Sequence, residues 1–450
     1  MGNKMFRYDE QMGELVFDYC RTRLAFDPAT LDFAGEKGPL DAALAGLMRP
    51  EGNDPAKVLE IFTDHLAPAV ISVDNPRFLA FIPAAPTRAS MLFDMIVSCS
   101  SMQGSTWLEA AGAVAAENQA LRVLADLAGL PAQAGGVFVS GGSAGNLSAL
   151  AVARETGRQR LGGDRRLLRV AVSDQTHSSV RNALRILDME SFLVSTENHR
   201  LTGESLNQAL ADDSHSEDVV AVVATAGTTN AGIVDDLTGI AQVAAERDLW
   251  FHVDGAYGAG ALLAPSARHL FAGIERADSF VVDPHKWLFA PFDCAALIYR
   301  QPALAKAVHT QQASYLDIFH VDDGWNPSDY AYHLTRRARG LALWFSLAVH
   351  GIDAYGVAVE AALDMARQAA ERIELADHVE LAREPGLSIV LFRRLGWEAA
   401  DYQRWSHQLL ADQIGFVTPT AWEGETMARF AFLHPDTTIE MVDEILATMV

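Results

Sequence analysis

Lys286 closes the tetrad Asp283-Pro284-His285-Lys286, directly ahead of Trp287, and the tetrad follows an apolar run, Phe280-Val281-Val282, that reads as a buried strand. An ammonium buried without a partner is costly. A lysine at a strand end that faces a cleft can instead give up its proton and form a Schiff base with an aldehyde. A lone lysine more often buries its stem and keeps its head in water, so the reading rests on the residues that accompany it. In His252-Val253-Asp254-Gly255-Ala256-Tyr257-Gly258, Asp254 falls at the end of a second buried strand. A carboxylate there calls for a cation such as a protonated pyridine nitrogen, or for an arginine or a helix cap. Lys286 lies 32 positions beyond Asp254 (286 − 254), one strand-helix-strand unit, so neighbouring strand ends can aim both at one ligand.

Three more turns supply complementary groups. Ser140-Gly141-Gly142-Ser143-Ala144-Gly145-Asn146 lies between a strand and a helix. Its glycines let the backbone approach an anion, the helix N-terminus offers free N–H groups, and Ser143 adds a hydroxyl. A tight strand-to-helix turn with no ligand is the competing reading. Asp174-Gln175-Thr176-His177-Ser178-Ser179 places His177 where a flat imidazole can stack on an aromatic ring or cap a helix, and Ala226-Gly227-Thr228-Thr229-Asn230 adds hydroxyls. Together these residues form an anion cradle, a strand-end carboxylate, an imidazole and a Schiff-base lysine. Pyridoxal phosphate requires that set.

The elements that must position these residues follow from periodicity. Residues 1 to about 80 read as helical with Pro and Gly breaks, and an Ala/Leu-rich helix runs from Trp107 to Gly129. Strands are expected at Gly136–Ser140, Arg169–Ser173, Val219–Thr225, Trp250–Asp254, Ser279–Val282 and Ala295–Tyr299, with helices at Gly145–Arg160, from His177, and at Leu237–Arg247. Continuous apolar strands alternating with helices predict a mainly parallel sheet covered on both faces. Ligands of such sheets bind at the carboxyl ends of the strands, where all the turns above lie. After Gly351 a helix, a strand over Leu387–Arg393, a helix from Ala399 and a strand over Ala428–Phe432 predict a small α+β domain.

The chain has 450 residues, 50% hydrophobic and 21% charged, which suits a globular protein of roughly two to three domains. A formal net charge of -23 repels nucleic acid and anionic lipid, so neither is expected as a partner. Cys20, Cys99 and Cys294 are scattered, without the spacing of a zinc knuckle or a disulfide framework, and no metal site is expected. The first ten residues carry no apolar leader, and runs such as Val219 to Ala224 are too short to span a bilayer, so a cytoplasmic location is expected.

From about Asn75 to its C-terminus the sequence resembles the pyridoxal-phosphate-dependent group II amino-acid decarboxylases, in particular the aromatic-L-amino-acid decarboxylases. The resemblance is carried by SGGSAGNLSAL from Ser140, DQTHSS from Asp174, GTT from Gly227, HVDGAYG from His252, DPHKW from Asp283, RRARGLALW from Arg336 and Arg429-Phe430-Ala431-Phe432. It implies an aspartate-aminotransferase-like α/β fold (fold type I) with a seven-stranded sheet, and a homodimer with active sites at the subunit interface. The division it implies is a helical segment over 1–80 packing on the partner, a large cofactor-binding domain over 81–352 and a small domain over 353–450. It further implies that Lys286 forms the internal aldimine, Asp254 pairs with the pyridine nitrogen and His177 stacks on the ring. Gly142 and Ser143 would bind the phosphate, with Thr228, Ala256, Asp283 and His285 lining the cofactor.

The expected reaction is decarboxylation of an L-amino acid to the amine and CO2. In relatives a loop tyrosine returns the proton, and the matching stretch Gln311 to Thr335 offers Tyr315, Tyr330 and Tyr332, of which Tyr330 is favoured. The pocket segment Tyr-Phe-Pro-Thr of aromatic decarboxylases reads Phe81-Ile82-Pro83-Ala84 here. Phe81, Ile82 and Trp107 from the neighbouring subunit would leave an apolar wall suited to an aromatic side chain. A decarboxylation-dependent aldehyde synthase, with Phe319 at the tyrosine position, and a decarboxylase of an acidic amino acid are the alternatives.

Overall fold

The computed structural model describes residues 4–82, 85–163, 166–312 and 324–450. Its centre is a seven-stranded sheet formed by β1 (Gly135–Val139), β2 (Leu168–Val172), β3 (Met189–Leu193), β4 (Val219–Thr225), β5 (Trp250–Asp254), β6 (Ser279–Val282) and β7 (Ala295–Tyr299) in the order β1-β7-β6-β5-β4-β2-β3. β7 runs against both of its neighbours, β1 and β6, while the remaining pairs are parallel, so all strands but β7 share one direction. Every residue of β4, Val-Val-Ala-Val-Val-Ala-Thr, is buried, as a strand covered on both faces requires. The bounds of β4, β5, β6 and β7 agree with the sequence expectation. β3 escapes it because Met189-Glu190-Ser191-Phe192-Leu193 is a half-exposed edge strand without a sustained apolar run.

The residues of β5 alternate between two cores. Phe251 and Val253 join the larger core with α9 (Leu237–Arg247), while Trp250 joins the smaller one beneath α6 (Gly142–Arg160). With a side-chain period of two, Trp250, His252 and Asp254 therefore face α6. That helix sits unusually close to the sheet: a Cβ on Gly145 or Gly157 would lie 2.7 Å from Val281 and 2.5 Å from Val220. The close seat carries the helix N-terminus to the C-terminal ends of β5 and β6. α6 also starts at Gly142, three residues ahead of expectation, so the Gly-Ser turn is itself the first helical turn.

A second, four-stranded antiparallel sheet, β10-β11-β9-β8, comprises β8 (Val379–Leu381), β9 (Ile389–Arg394), β10 (Thr420–Trp422) and β11 (Glu425–Ala431). It packs with α12 (Ile352–Glu374) and α13 (Ala399–Ala411), and α14 (Ile439–Ala447) packs on α12. The N-terminal helices α1 (Glu10–Leu24), α2 (Lys37–Leu44) and α3 (Pro55–Ile61) bury none of their residues within the chain. Among the described residues no single helix is long and apolar enough to cross a membrane.

The Arg336 motif has a packing explanation. Arg336, 2% exposed, grips Glu117 of α5 (Trp107–Leu127) through two hydrogen bonds of 2.7 Å and reaches Gly104 O at 2.6 Å. Glu117 also accepts from Gly340 N–H at 2.8 Å, which fixes the entry to α11 (Leu341–His350). Removing one partner leaves a buried charge uncompensated. Arg336→Met should therefore lower stability by about 3–5 kcal/mol, read from the urea midpoint; a loss below about 1 kcal/mol would mean that the pair contributes no more than a surface ion pair.

Candidate active site

Beyond β6 the chain turns through Asp283-Pro284-His285-Lys286, closed by Lys286 N–H donating to Asp283 O at 2.8 Å. The Lys286 ammonium lies 2.9 Å from Asp283 Oδ2, and the same oxygen accepts from Gly142 N–H at 3.2 Å. Asp283 is 2% exposed, and its Oδ1 is buried without a hydrogen-bond partner. His285 Nδ1 accepts from Cys294 N–H at 3.0 Å. Burial, and then the charge of Lys286, push the His285 pKa down against the pull of Asp283, so this imidazole is neutral at neutral pH.

Asp254 ends β5 at 5% exposure. Asn146, one turn into α6, donates from Nδ2 to Asp254 Oδ2 at 2.8 Å, and Ala256 N–H donates to Oδ1 at 3.2 Å. Both donors are neutral, and Asp254 has no ion pair among the described residues. His177 caps α7 (Ser178–Ile186): its Nδ1 accepts from Ser179 N–H at 3.2 Å and lies 2.8 Å from Ser179 Oγ. A backbone N–H can only donate, so Nδ1 is the bare nitrogen and Nε2 carries the proton.

Gly142, Ser143, His177, Asp254, Ala256, Asp283, His285 and Lys286 line one cavity of about 360 Å³. Three other expectations need correction. Thr228 does not line that cavity: its hydroxyl accepts from Ile233 N–H at 3.1 Å inside its own turn, and it faces an adjoining recess, while Thr225, Gly227 and Thr229 reach the cavity. Tyr330 is 5% exposed, and its ring stacks on Trp325 at 4.1 Å. Trp325 in turn binds Gly136 O at 3.2 Å near the start of β1, whereas the cavity opens past the end of that strand, about 13 Å away at a strand rise of roughly 3.3 Å per residue. Burial also pushes the Tyr330 phenol pKa up, and the packed ring is no loop donor. Tyr332 is 53% exposed, while Tyr315 and Phe319 lie outside the described residues.

Phe81, Ile82 and Trp107 do not line the cavity of their own chain either. Phe81 is linked to the cavity wall through Arg429, which donates to Phe81 O and, at 2.6 Å, to Thr229 O. Ile82 packs on the core, and Trp107 packs against Gly324 with its N–H bound to Asn326 Oδ1 at 2.9 Å. Sequence reasoning missed Asn146, Ser179 and Phe292, which do line the cavity. Asn146 sits inside the quoted Gly-Ser block, and its place one turn past Gly142 is the signal that could have found it.

The donor set fits pyridoxal phosphate. The first turn of α6 opens into the cavity with no side-chain cap, and although Gly142 N–H donates to Asp283, Ser143 keeps its N–H and hydroxyl for a phosphate. A Cβ on Gly142 would lie 3.0 Å from Ala256 and 3.2 Å from the Asp283 carboxylate, so only glycine keeps that wall open. Asp254, with neutral donors alone, is an acceptor suited to a pyridinium N–H, and Lys286 is an amine in the same cavity.

Known proteins place this arrangement in a family. Residues 42–395 match the pyridoxal-dependent decarboxylase conserved domain. The chain is 32% identical over 409 residues to the aromatic-L-amino-acid decarboxylase of Bacillus atrophaeus, a match covering 88% of this chain and 85% of that protein. It is 30% identical over 407 residues to the L-2,4-diaminobutyrate decarboxylase of Rhizobium meliloti (strain 1021), covering 87% and 80%. The crystal structure of Oryza sativa TDC with PLP and tryptamine superposes with a TM-score of 0.88 at 25% identity, over 98% of this chain and 97% of that one. The chain belongs to the pyridoxal-phosphate-dependent group II amino-acid decarboxylases, a family of carboxy-lyases.

Proposed function

We propose that the protein decarboxylates an L-amino acid with an aromatic side chain to the corresponding amine and CO2. The observation that carries this reading is the convergence of Lys286, Asp254 and His177 in one cavity at the ends of β6, β5 and β2. The aromatic preference draws on the Bacillus atrophaeus relative and on Phe292, which lines the cavity with its ring 4.8 Å from that of His285; Phe81, tied to the wall through Arg429, would add a second ring at the rim. In this reading Ile82 backs the rim, and Trp107 reaches the partner's cavity in a homodimer. The exposed apolar side chains Met12, Val16 and Phe17 of α1 support a partner packed on residues 1–80, with a large domain over 81–352 and a small one over 353–450. The proposed location is the cytoplasm.

Each group then has one task. Lys286 binds the cofactor covalently, and Asp283 holds its ammonium whenever the lysine is free. The turn from Ser140 to Ser143 and the open end of α6 take the phosphate. Asp254 accepts the hydrogen of the pyridine nitrogen and keeps that nitrogen charged. Bound there, pyridoxal phosphate supplies a cationic conjugated ring that accepts the electron pair left as CO2 departs. His177 covers the ring and directs its Nε2–H at the substrate carboxylate. With Tyr330 packed in the core, Tyr315 and Tyr332 are the remaining candidates for returning a proton to Cα.

Two outcomes test the reading. Asp254→Asn keeps the shape of the site but removes the charge; a loss of three pKa units at the ring nitrogen is about 4 kcal/mol, so kcat should fall roughly a thousandfold. An unchanged kcat would remove Asp254 from the chemistry. A mass-spectrometric screen of the common amino acids should show amine formed fastest from aromatic substrates, without oxygen uptake, and none with Lys286→Ala. Oxygen uptake with ammonia release would make the protein an aldehyde synthase, and turnover of acidic amino acids alone would overturn the aromatic reading.

A further inference from the structure

His252 is fully buried, stands outside the lining of the cavity described above, and yet spends both ring nitrogens on polar partners. Its Nδ1 lies 2.8 Å from Ser279 Oγ, its register partner on β6, and its Nε2 lies 2.9 Å from Asn146 Oδ1. Trp250 Nε1–H donates to the same Ser279 Oγ at 2.9 Å. Asn146 Nδ2 donates to Asp254 Oδ2 at 2.8 Å and to Ser179 Oγ at 3.0 Å, and Ser179 leads to His177 Nδ1. Four side chains, Ser279, His252, Asn146 and Ser179, thus join the two groups assigned to the cofactor and substrate to a tryptophan deep in the core.

The direction of every hydrogen bond follows from the ends of this chain. An indole N–H only donates and a carboxylate only accepts. Asp254 therefore takes a hydrogen from the Asn146 nitrogen, which turns the Asn146 oxygen toward His252 and obliges His252 Nε2 to donate. Ser279 receives from Trp250 and so passes its own hydrogen to His252 Nδ1. Burial, the largest cause, pushes the His252 pKa down to about 4 in spite of Asp254, which agrees with one proton on the ring. With both of its hydrogens spent, Asn146 fixes the Asp254 carboxylate and directs the Ser179 hydroxyl to His177 Nδ1. Were the amide reversed, its oxygen would face a carboxylate and its nitrogen an N–H, leaving buried groups unpaired.

We infer that His252 is a positioning residue for the decarboxylation: through Asn146 it sets the orientation of Asp254 and of His177 without touching cofactor or substrate. The sequence pattern Trp250-x-His252-x-Asp254 is its origin, since a period of two places all three on the face beneath α6. The inference rests on the roles proposed above for Asp254 and His177, but the positions of the hydrogens can be read independently of them.

Neutron diffraction of the cofactor-loaded enzyme should show deuterium on His252 Nε2 alone and the Asn146 nitrogen facing Asp254; deuterium on Nδ1, or a reversed amide, would overturn the inference. In solution His252→Phe keeps the volume but strands Asn146 and Ser279. It should weaken cofactor affinity and lower kcat by about tenfold each while KM moves less than about twofold, with His252→Gln, which can still donate to Asn146, recovering most of both. A folded His252→Phe with the affinity and kcat of the natural protein contradicts the inference. Should that variant fail to fold, Ser279→Ala, which unlocks the ring but removes little volume, should lower affinity in the same direction, and no change would count against it. Failure of the Asp254 reading would show differently, as an unchanged kcat in Asp254→Asn with the neutron positions intact.

Discussion

Two buried carboxylates at the ends of neighbouring parallel strands set the terms for this molecule. Asp283 is neutralised by the Lys286 ammonium at 2.9 Å. Asp254, with no cation among its hydrogen-bond partners in the described residues, is held by an amide and a backbone N–H. Neutral donors orient a carboxylate, but a full opposing charge is what makes its burial favourable. In the proposed function a pyridinium nitrogen supplies that charge, so the cofactor and the Asp254 carboxylate would support each other. The same charge makes the ring an electron acceptor, which links the stability of the site directly to its chemistry.

The sheet explains why both carboxylates stand where they do. Strands covered on both faces can present polar side chains only at their ends or against a helix that answers them. At the carboxyl edge, α6 does the answering: its first turn opens toward the cavity, Asn146 reaches Asp254, and Gly145 and Gly157 permit the close approach. One helix therefore brings an uncapped N-terminus to the cavity, clamps a carboxylate and covers the smaller core. The Arg336–Glu117 pair plays a comparable structural part elsewhere, tying α5 to the entry of α11.

Much of this was legible in the residues. Continuous apolar runs gave the bounds of β4 to β7, because a strand buried on both faces has no competing pattern. The turns after those strands carried Lys286, Asp254, Gly142 and His177, and all of them meet in one cavity. What stayed hidden needed the third dimension. β3 is a half-exposed edge, and neither its pattern nor its composition marks it. Tyr330 and Tyr332 are two residues apart in the sequence, yet one stacks on Trp325 in the core and the other faces solvent. Thr228 carries a hydroxyl at the expected turn, but the turn itself consumes it. Asn146 and His252 contact each other across 106 positions (252 − 146), and only the packing of α6 on β5 brings them together.

In the proposed function Asp254 keeps the cofactor's pyridine nitrogen protonated. Nitrogen NMR of the enzyme loaded with cofactor labelled at the ring nitrogen reads this directly. The ring nitrogen should be protonated at neutral pH in the natural protein and bare in Asp254→Asn. A ring nitrogen without its proton in the natural protein would contradict it.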